Sequence, residues 1–188
     1  MAKKLPASRA TLPRPAKQKA APATVAIVVS RYNRTVTDAL LSGALAEARA
    51  ARVATEVFQA AGAFEIIGIC AAAAATGRFA GILALGCIIK GETKHDDYLA
   101  HAVTTGLGNL AAAGGARGPA VALGVLTVNS NQQAIDRSGG KQGNKGAEAM
   151  LALLDSMAVC HAIRTGARPG PLAGSLAGSR SPDKLTRN

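Results

Sequence analysis

The sequence predicts an α/β domain: a three-layer sandwich with a four-stranded parallel sheet, helices on both of its faces and disordered basic tails. Two observations predict this class. Short β-branched runs alternate with longer segments of helical periodicity between residues 24 and 157, and such alternation builds right-handed βαβ units. The 188 residues, 48% of them hydrophobic, are enough for one domain with its own core.

The first half of the domain contains two strands and two helices. VAIVV, residues 25–29, is a β-branched run suited to a strand that is buried on both faces. After the polar turn SRYNRT, apolar residues recur at helical spacing over residues 36–50. ATEVFQ, residues 54–59, is the second predicted strand. A nearly all-apolar helix is predicted over residues 63–77, with Gly77 near its C-terminus.

The second half continues the alternation. We predict strands over residues 79–89 and 119–128 and helices over residues 96–114 and 144–157. A short helix is predicted just before the last one, with Asn129 or Ser130 as its N-cap. In such sheets ligands bind outside the carboxyl ends of the strands. Those ends are RYN (31–33), AGAFE (61–65), KGET (90–93) and TVNS (127–130).

The net charge of +11 is concentrated at the two ends of the chain. Residues 1–24 contain six basic residues and no acidic one, and residues 158–188 contain five basic residues and one acidic one, which leaves +1 for residues 25–157. We therefore predict a disordered basic extension over residues 1–23, a domain over residues 24–157 and a flexible tail over residues 158–188. Since the domain is nearly neutral and lacks tryptophan, nucleic acid is not an expected partner.

The cysteines, Cys70, Cys87 and Cys160, are odd in number and far apart. They indicate a reducing compartment and provide no metal motif. The apolar stretch over residues 66–77 is shorter than the ~20 residues that cross a bilayer, so no membrane is expected. The N-terminus lacks the apolar region of a secretory signal. We expect a cytoplasmic location, with a short organelle transit peptide as the alternative.

The segment GETKHDDY, residues 91–98, carries the richest chemistry. Gly91 allows close approach to the backbone, and free N–H groups at a helix start suit an anion. The alternative is an ordinary βα turn. His95 is the best candidate for proton transfer, because imidazole titrates near neutral pH. It is equally well interpreted as a solvated histidine in the first helical turn, beside two acids that complement the helix dipole.

Three other features have both a functional and a structural interpretation. Arg137 and its neighbouring lysines and glycines form either a phosphate site or a mobile basic loop, and they lack the order of a P-loop. Tyr32 either stacks on a planar ring or covers the sheet edge. Glu65 either accepts hydrogen bonds from a polyol or complements the helix dipole.

Taken in order, these motifs resemble the lumazine synthase family. The segments that carry the resemblance, over about residues 24–157, are RYN followed by VTDALLSGA, AGAFE, LGCIIKGETKHDDY, GVLT and QQAIDRSGGKQGNKG. The resemblance implies a flavodoxin-like fold and the penultimate step of riboflavin biosynthesis. In that step 5-amino-6-(D-ribitylamino)uracil condenses with 3,4-dihydroxy-2-butanone 4-phosphate to give 6,7-dimethyl-8-ribityllumazine, phosphate and water. It implies neither a metal nor an organic cofactor.

The same resemblance assigns roles to individual residues. His95 is the general acid/base. The pyrimidine and ribityl groups are bound by Tyr32, Ala63, Phe64, Glu65, Ile88, Ile89, Lys90, Leu123 and Lys145. The phosphate is bound by the backbone of Glu92 and Thr93 and by Arg137 from a neighbouring subunit, while Glu148 orients Lys145.

The sequence departs from the family pattern at three positions. Ala61 stands where proline is usual, and this changes loop stiffness more than chemistry. Leu123 stands where a phenylalanine often covers the ring, and Tyr32 replaces a more usual phenylalanine. None of the three removes a catalytic group.

The resemblance also implies a homo-oligomer, a pentamer with sites between adjacent subunits. The uninterrupted RSGGKQGNKG turn resembles members in which twelve pentamers form an icosahedral shell of 60 subunits, with riboflavin synthase as an enclosed partner. Two alternatives remain. One is a member that has lost catalysis and carries a flavin or pterin-like ligand. The other is a nucleic-acid-associated protein that uses its basic tails.

Overall fold

The structure, a computed structural model, describes residues 23–115 and 117–167 and confirms the predicted α/β class. Its elements in chain order are β1 (Thr24–Ser30), α1 (Arg34–Ala50), β2 (Ala54–Ala60), α2 (Glu65–Ala75), β3 (Gly81–Ile89), α3 (His95–Gly114), β4 (Ala120–Val128), α4 (Asn131–Arg137), β5 (Ser138–Gly140), β6 (Gly143–Asn144) and α5 (Lys145–Thr165). Most of the two predicted tails, residues 1–22 and 168–188, lies outside the described residues.

The main sheet has the order β2-β1-β3-β4, and every neighbouring pair of strands is parallel. Val25 of β1 lies in register with Thr55 of β2 and Gly81 of β3. Strands β1 and β3 are buried along almost their whole length, as central strands of a covered parallel sheet must be. This burial explains why both segments read as uninterrupted apolar runs.

Two hydrophobic cores lie on opposite faces of the sheet. On one face, Leu40 of α1 and Met150 of α5 pack with alternate strand residues such as Leu83. On the other face, Ile66 of α2 and Val103 of α3 pack with the intervening strand residues. The period-two alternation of β1 and β3 residues between the cores is the strand geometry expected for a three-layer sandwich.

The last helix is longer than predicted and corrects one boundary. α5 ends at Thr165, so the predicted start of the tail at residue 158 falls inside a helix. Met157 and Ala162 are buried, and no helix breaker occurs before Gly166, which has a φ of 67°. A left-handed glycine is a common helix terminator. The predicted boundary is too early because it was based on the glycine and proline content of the tail, which begins only at Gly166.

α5 also has the length and composition of a helix that crosses a membrane, which no other helix of the described residues has. Its residues Gly146, Met150 and Leu153 nevertheless pack into the domain. Core helices of α/β domains share this composition, so the helix is weak evidence for a membrane.

The glycine-rich basic segment forms a small antiparallel hairpin, β5–β6, which the sequence did not predict. Gly143, with a φ of 74°, adopts a backbone conformation that other residues rarely take. The Asn144 side chain donates to the carbonyls of Ala39 and Ser138 over 2.9 and 3.1 Å. It also accepts the N–H of Gly146 over 2.9 Å and so caps α5. This asparagine joins the hairpin, α1 and α5.

Candidate active site

A cavity of about 850 Å³ opens at the carboxyl ends of β1, β2 and β3, beside the start of α3. Nine of the residues assigned to the site from the sequence line it: Tyr32, Ala63, Phe64, Glu65, Ile88, Ile89, Lys90, Thr93 and His95. They come from three segments far apart in the chain. Parallel strands bring them together because all their carboxyl ends meet at one edge of the sheet.

The RYN segment is held by backbone and side-chain hydrogen bonds. The Arg31 N–H donates to the Ala60 carbonyl over 2.8 Å, and the Tyr32 N–H donates to Ser30 Oγ over 3.1 Å. Asn33 has a φ of 57° and caps α1, and its side-chain amide donates to the Cys87 carbonyl over 2.9 Å. Asparagine tolerates this left-handed conformation better than most residues. The Tyr32 ring is left 70% exposed at the cavity.

The AGAFE segment turns from β2 into α2. Ala63 is buried, whereas the Phe64 side chain is 59% exposed at the cavity. A Cβ atom on Gly62 would lie 2.9 Å from Glu65 Oε2. The absence of a side chain at Gly62 therefore lets the Glu65 carboxylate fold back over the turn, beside the cavity.

The GETKHDDY segment joins β3 to α3. The Gly91 N–H donates to Asp96 Oδ1 and the His95 N–H donates to Thr93 Oγ1, both over 3.4 Å. Within the described ranges no hydrogen bond uses the N–H groups of Glu92 or Thr93. A Cβ atom on Gly91 would meet nothing within 4 Å. This open helix start has the geometry of an anion site, although Glu92 does not line the cavity.

The cavity also contains residues that the sequence interpretation missed. Besides Asn33, they are Gly62, Cys87, Asp96, Tyr98, Leu99 and Ala102, and Gly91, which the sequence placed at the open helix start, lines the cavity as well. Tyr98 is 71% exposed and follows His95 by three residues on α3, a spacing that places two side chains on one helix face. An aromatic residue one helical turn after the candidate base was the signal in the sequence that could have identified Tyr98 as a cavity residue.

Three of the assigned residues lie elsewhere. Leu123, Lys145 and Glu148 line a separate cavity of about 330 Å³ along the outer edge of β4, and the two cavities share no lining residue. Lys145 Nζ lies 2.9 and 2.7 Å from the two carboxylate oxygens of Glu148. Leu123 is 47% exposed.

Arg137 lines neither cavity. It occupies the last turn of α4, where its Nη1 donates to the Gln133 carbonyl over 3.3 Å. A single chain therefore does not bring Arg137, Leu123, Lys145 and Glu148 together with His95. The folded subunit divides the assigned residues between two surfaces.

Burial makes two thiols, those of Cys70 and Cys87, less reactive. Burial raises the pKa of Cys70 to about 12 and that of Cys87, whose residue lines the large cavity, to about 11. Both stay protonated near neutral pH, so neither has the thiolate character of a nucleophile. In the part of the chain that the structure describes, no cluster of three His, Cys, Asp or Glu side chains suits a metal ion.

Residues 22–161 match the protein family described as 6,7-dimethyl-8-ribityllumazine synthase. A 6,7-dimethyl-8-ribityllumazine synthase of Anaeromyxobacter dehalogenans (strain 2CP-C) is 43% identical over 141 residues, which are 73% of this chain and 85% of that protein. The 6,7-dimethyl-8-ribityllumazine synthase 1 of Caulobacter vibrioides is 42% identical over 149 residues, 78% of this chain and 95% of that protein. A similar protein of Edwardsiella ictaluri is 42% identical over 146 residues, with 76% and 92% covered.

Proposed function

The chain belongs to the 6,7-dimethyl-8-ribityllumazine synthase family, and from that premise we propose that it catalyses the lumazine-forming condensation. The substrates are 5-amino-6-(D-ribitylamino)uracil and 3,4-dihydroxy-2-butanone 4-phosphate. The products are 6,7-dimethyl-8-ribityllumazine, phosphate and water. The observation that carries the proposal is the large cavity, in which an exposed tyrosine, a carboxylate, an open helix start and a histidine meet.

His95 supplies the proton transfers in this proposal. The uracil amine attacks the ketone and loses water to form an imine, and phosphate is then eliminated. The second amine attacks the remaining carbonyl and loses a second water, which closes the ring. Each step moves a proton to or from carbon, nitrogen or oxygen near neutral pH, which suits an imidazole. His95 is exposed and borders the cavity, so it has access to both substrates. Much of the rate comes from holding the two reactants together.

The two substrates occupy different parts of the cavity. Tyr32 and Phe64 present exposed rings to the pyrimidine, and the Glu65 carboxylate accepts hydrogen bonds from the ribityl hydroxyls. The open backbone at Glu92 and Thr93 receives the phosphate. That phosphate is the leaving group, so the first turn of α3 places its binding site beside His95.

The remaining assigned residues act across a subunit interface. Arg137, Leu123, Lys145 and Glu148 lie away from the His95 cavity of their own chain, and they complete the cavity of a neighbouring copy. Such a heterologous contact repeats around a ring. We infer a cyclic pentamer in which Arg137 clamps the neighbour's phosphate with its guanidinium fork.

Two further properties follow the family pattern. A shell of twelve pentamers is consistent with the short hairpin between α4 and α5, and riboflavin synthase is the proposed enclosed partner. Sedimentation velocity separates a pentamer from a 60-subunit particle. The free state of all three cysteines supports the proposed cytoplasmic location.

The decisive experiment is an absorbance assay with the two substrates and the full chain. The proposal expects formation of the lumazine and release of one phosphate per product. The His95→Ala variant should lose most of the rate while it still binds a flavin-like product. A chain that binds the product but forms none at high enzyme concentration is a carrier, and the proposal is then wrong.

A further inference from the structure

Helix α3 presents one continuous face to the large cavity. His95, Tyr98, Leu99 and Ala102 all line that cavity, and their spacing of three, four and seven residues places them on one side of a helix. The proposed function uses only His95 from this face. Tyr98 is therefore a large cavity residue without an assigned part in the reaction.

The aromatic residues of this chain are divided between the core and the cavity. There are two tyrosines, three phenylalanines and no tryptophan. Phe58 and Phe79 pack edge to face, with ring centroids 5.9 Å apart. The other three, Tyr32, Phe64 and Tyr98, are more than half exposed, and all of them line the cavity. An exposed ring forgoes most of the stabilisation that burial gives, so three such rings at one cavity indicate a surface that binds a ligand.

The hydroxyl of Tyr98 is available to a ligand. Its side chain makes no hydrogen bond to any residue within the ranges 23–115 and 117–167, and the residue is 71% exposed. Its backbone is fixed, because the Tyr98 N–H donates to the Lys94 carbonyl over 3.2 Å. A tyrosine hydroxyl can donate and accept hydrogen bonds. The helix thus holds this residue in place and leaves its polar end without a partner in the described part of the chain.

The direction of helical side chains sets the order of groups along α3. Cα–Cβ bonds in a helix tilt towards its N-terminus, so a side chain covers the turn before its own residue. His95, the first residue of α3, therefore leans towards the open backbone of residues 92–93. Tyr98 leans towards the turn that His95 begins. The two side chains keep an axial offset of three residues, about 4.5 Å.

The four-carbon substrate carries its groups in a matching order. Four covalent bonds separate the phosphorus of 3,4-dihydroxy-2-butanone 4-phosphate from its ketone carbon, roughly 5 Å in an extended chain, and a methyl group follows the ketone. With the phosphate at residues 92–93, the hydroxyl-bearing carbon lies at His95 and the ketone lies one turn farther, at Tyr98. The methyl group then lies at Leu99 and Ala102, the apolar end of the helix face.

We propose that the Tyr98 hydroxyl donates a hydrogen bond to the ketone oxygen of the four-carbon substrate, which makes Tyr98 a further substrate-binding residue. This inference rests on the proposed function and extends it to the recognition of the ketone. A hydrogen bond at this oxygen draws electrons from the carbonyl carbon that the uracil amine attacks. It also distinguishes a ketone from an analogue without one, because the hydroxyl then has no partner in the ligand.

Three variants of the full chain separate the contributions of the ring and the hydroxyl. Tyr98→Phe removes the hydroxyl and keeps the ring, whereas Tyr98→Ala removes both. Thr105→Val is the matched control, since it removes an exposed hydroxyl seven residues farther along α3, outside the cavity lining. Tyr98→Phe and Thr105→Val change exposed side chains, so both should keep the urea unfolding midpoint of the wild type.

Equilibrium dialysis with two ligands gives the readout, and it needs no turnover because the aminouracil is left out. One ligand is the butanone phosphate, and the other is 2-hydroxybutyl phosphate, which has a CH2 group in place of the ketone. Tyr98→Phe should bind the butanone phosphate about three- to tenfold more weakly than the wild type does. It should bind the analogue within about twofold of the wild type. Tyr98→Ala should weaken both ligands because the ring is lost as well, and Thr105→Val should weaken neither.

Steady-state kinetics supply a second measurement. Tyr98→Phe should raise KM for the butanone phosphate and lower kcat, and it should leave KM for the aminouracil unchanged. A rise in KM for the aminouracil alone would assign Tyr98 to the other substrate and would reject the proposal.

Equal binding of the butanone phosphate by the wild type and Tyr98→Phe would overturn the proposal. Equal weakening for both ligands would also overturn it, because the hydroxyl would then contact a group other than the ketone. These outcomes are distinct from failure of the proposed function. A chain that makes lumazine equally well without the Tyr98 hydroxyl refutes this inference alone. A chain that binds the butanone phosphate through Tyr98 but makes no lumazine refutes the proposed function alone.

Discussion

The side-chain amide of Asn33 donates a hydrogen bond to the main-chain carbonyl of Cys87 over 2.9 Å, between positions 54 residues apart. Asn33 lies at the end of the turn that follows β1, and Cys87 lies in β3. Both line the large cavity. This bond fixes the turn that carries Tyr32 against the strand that leads to His95, so two halves of the candidate site share one positioning contact.

Substitution of Asn33 should therefore lower both stability and activity. Asn33→Ala loses the hydrogen bond, worth about 1 kcal/mol, and places alanine in a left-handed conformation at a further cost of about 1–2 kcal/mol. Asn33→Gly loses only the bond. Urea unfolding should show the alanine variant less stable than the glycine variant, while both lose a similar part of kcat/KM. Equal stability of the two variants would contradict the conformational argument.

Gly146 should tolerate no side chain. A Cβ atom there would overlap the backbone carbonyl oxygen of Leu40, where neither backbone can easily yield. We expect Gly146→Ala to lower the free energy of unfolding by about 3 kcal/mol. The matched control is Gly68→Ala in α2, where a Cβ atom meets nothing within 4 Å, and this change should stabilise the protein by up to about 1 kcal/mol. Chemical denaturation of both variants measures the difference, and a neutral Gly146→Ala variant would disprove the close packing.

The division of the assigned residues between two surfaces predicts complementation between inactive chains. His95→Ala and Arg137→Ala should each be nearly inactive alone. If each site takes His95 from one copy and Arg137 from the next, random mixing in a ring leaves about one quarter of the interfaces with both residues. Co-refolded equal mixtures should regain about that share of wild-type activity. Activity no higher than that of the separate variants would place both residues in one subunit's site, or one of them outside the site.

The buried thiols predict a loss of stability in alkali. The ordinary pKa of a cysteine thiol is 9.0, and burial raises the pKa of Cys70 to about 12 and that of Cys87 to about 11. Above pH 9 the unfolded chain releases protons that the folded chain retains, so each thiol lowers the free energy of unfolding by about 1.4 kcal/mol per pH unit. For Cys87 this loss ends near pH 11, and for Cys70 near pH 12.

The Cys70→Ala variant isolates one of these contributions. Between pH 9 and about pH 11, its unfolding free energy should fall less steeply than that of the wild type. The Cys87 thiol is present in both proteins, so its titration contributes equally to the two pH profiles. Urea denaturation across this range provides the measurement, with Cys160→Ala as the control because Cys160 is only half-buried. Parallel pH profiles for the wild type and the Cys70→Ala variant would contradict the effect of burial.

The glycine-rich segment after α4 illustrates where sequence reasoning stops. Its basic residues and glycines suggested a phosphate site or a mobile loop, and neither interpretation included the hairpin that the structure forms and that Asn144 joins to α1. The asparagine bonds to a carbonyl 105 positions earlier. No local pattern reveals such a partner, because hydrogen bonds of this kind exist only once helices from distant segments are packed.

The end of α5 shows the same limit for a different reason. Helical periodicity after Met157 is weak, and the burial of Ala162 that supports this part of the helix comes from tertiary contact. Propensity and pattern therefore misplaced the helix end by eight residues. Strong local signals behaved differently, since the buried runs that became β1 and β3 were recognised within one or two residues of their observed ends.

The sequence by itself determined the order of strands and helices, the parallel sheet and the family of this protein. These follow from short-range patterns: the period of apolar residues and the motifs at strand ends. The tertiary structure alone decided that twelve of the assigned residues separate into two cavities, and that Glu92 and Arg137 line neither of them. Which side chains meet depends on how segments that are far apart in the sequence pack together. No single stretch of the chain contains that information.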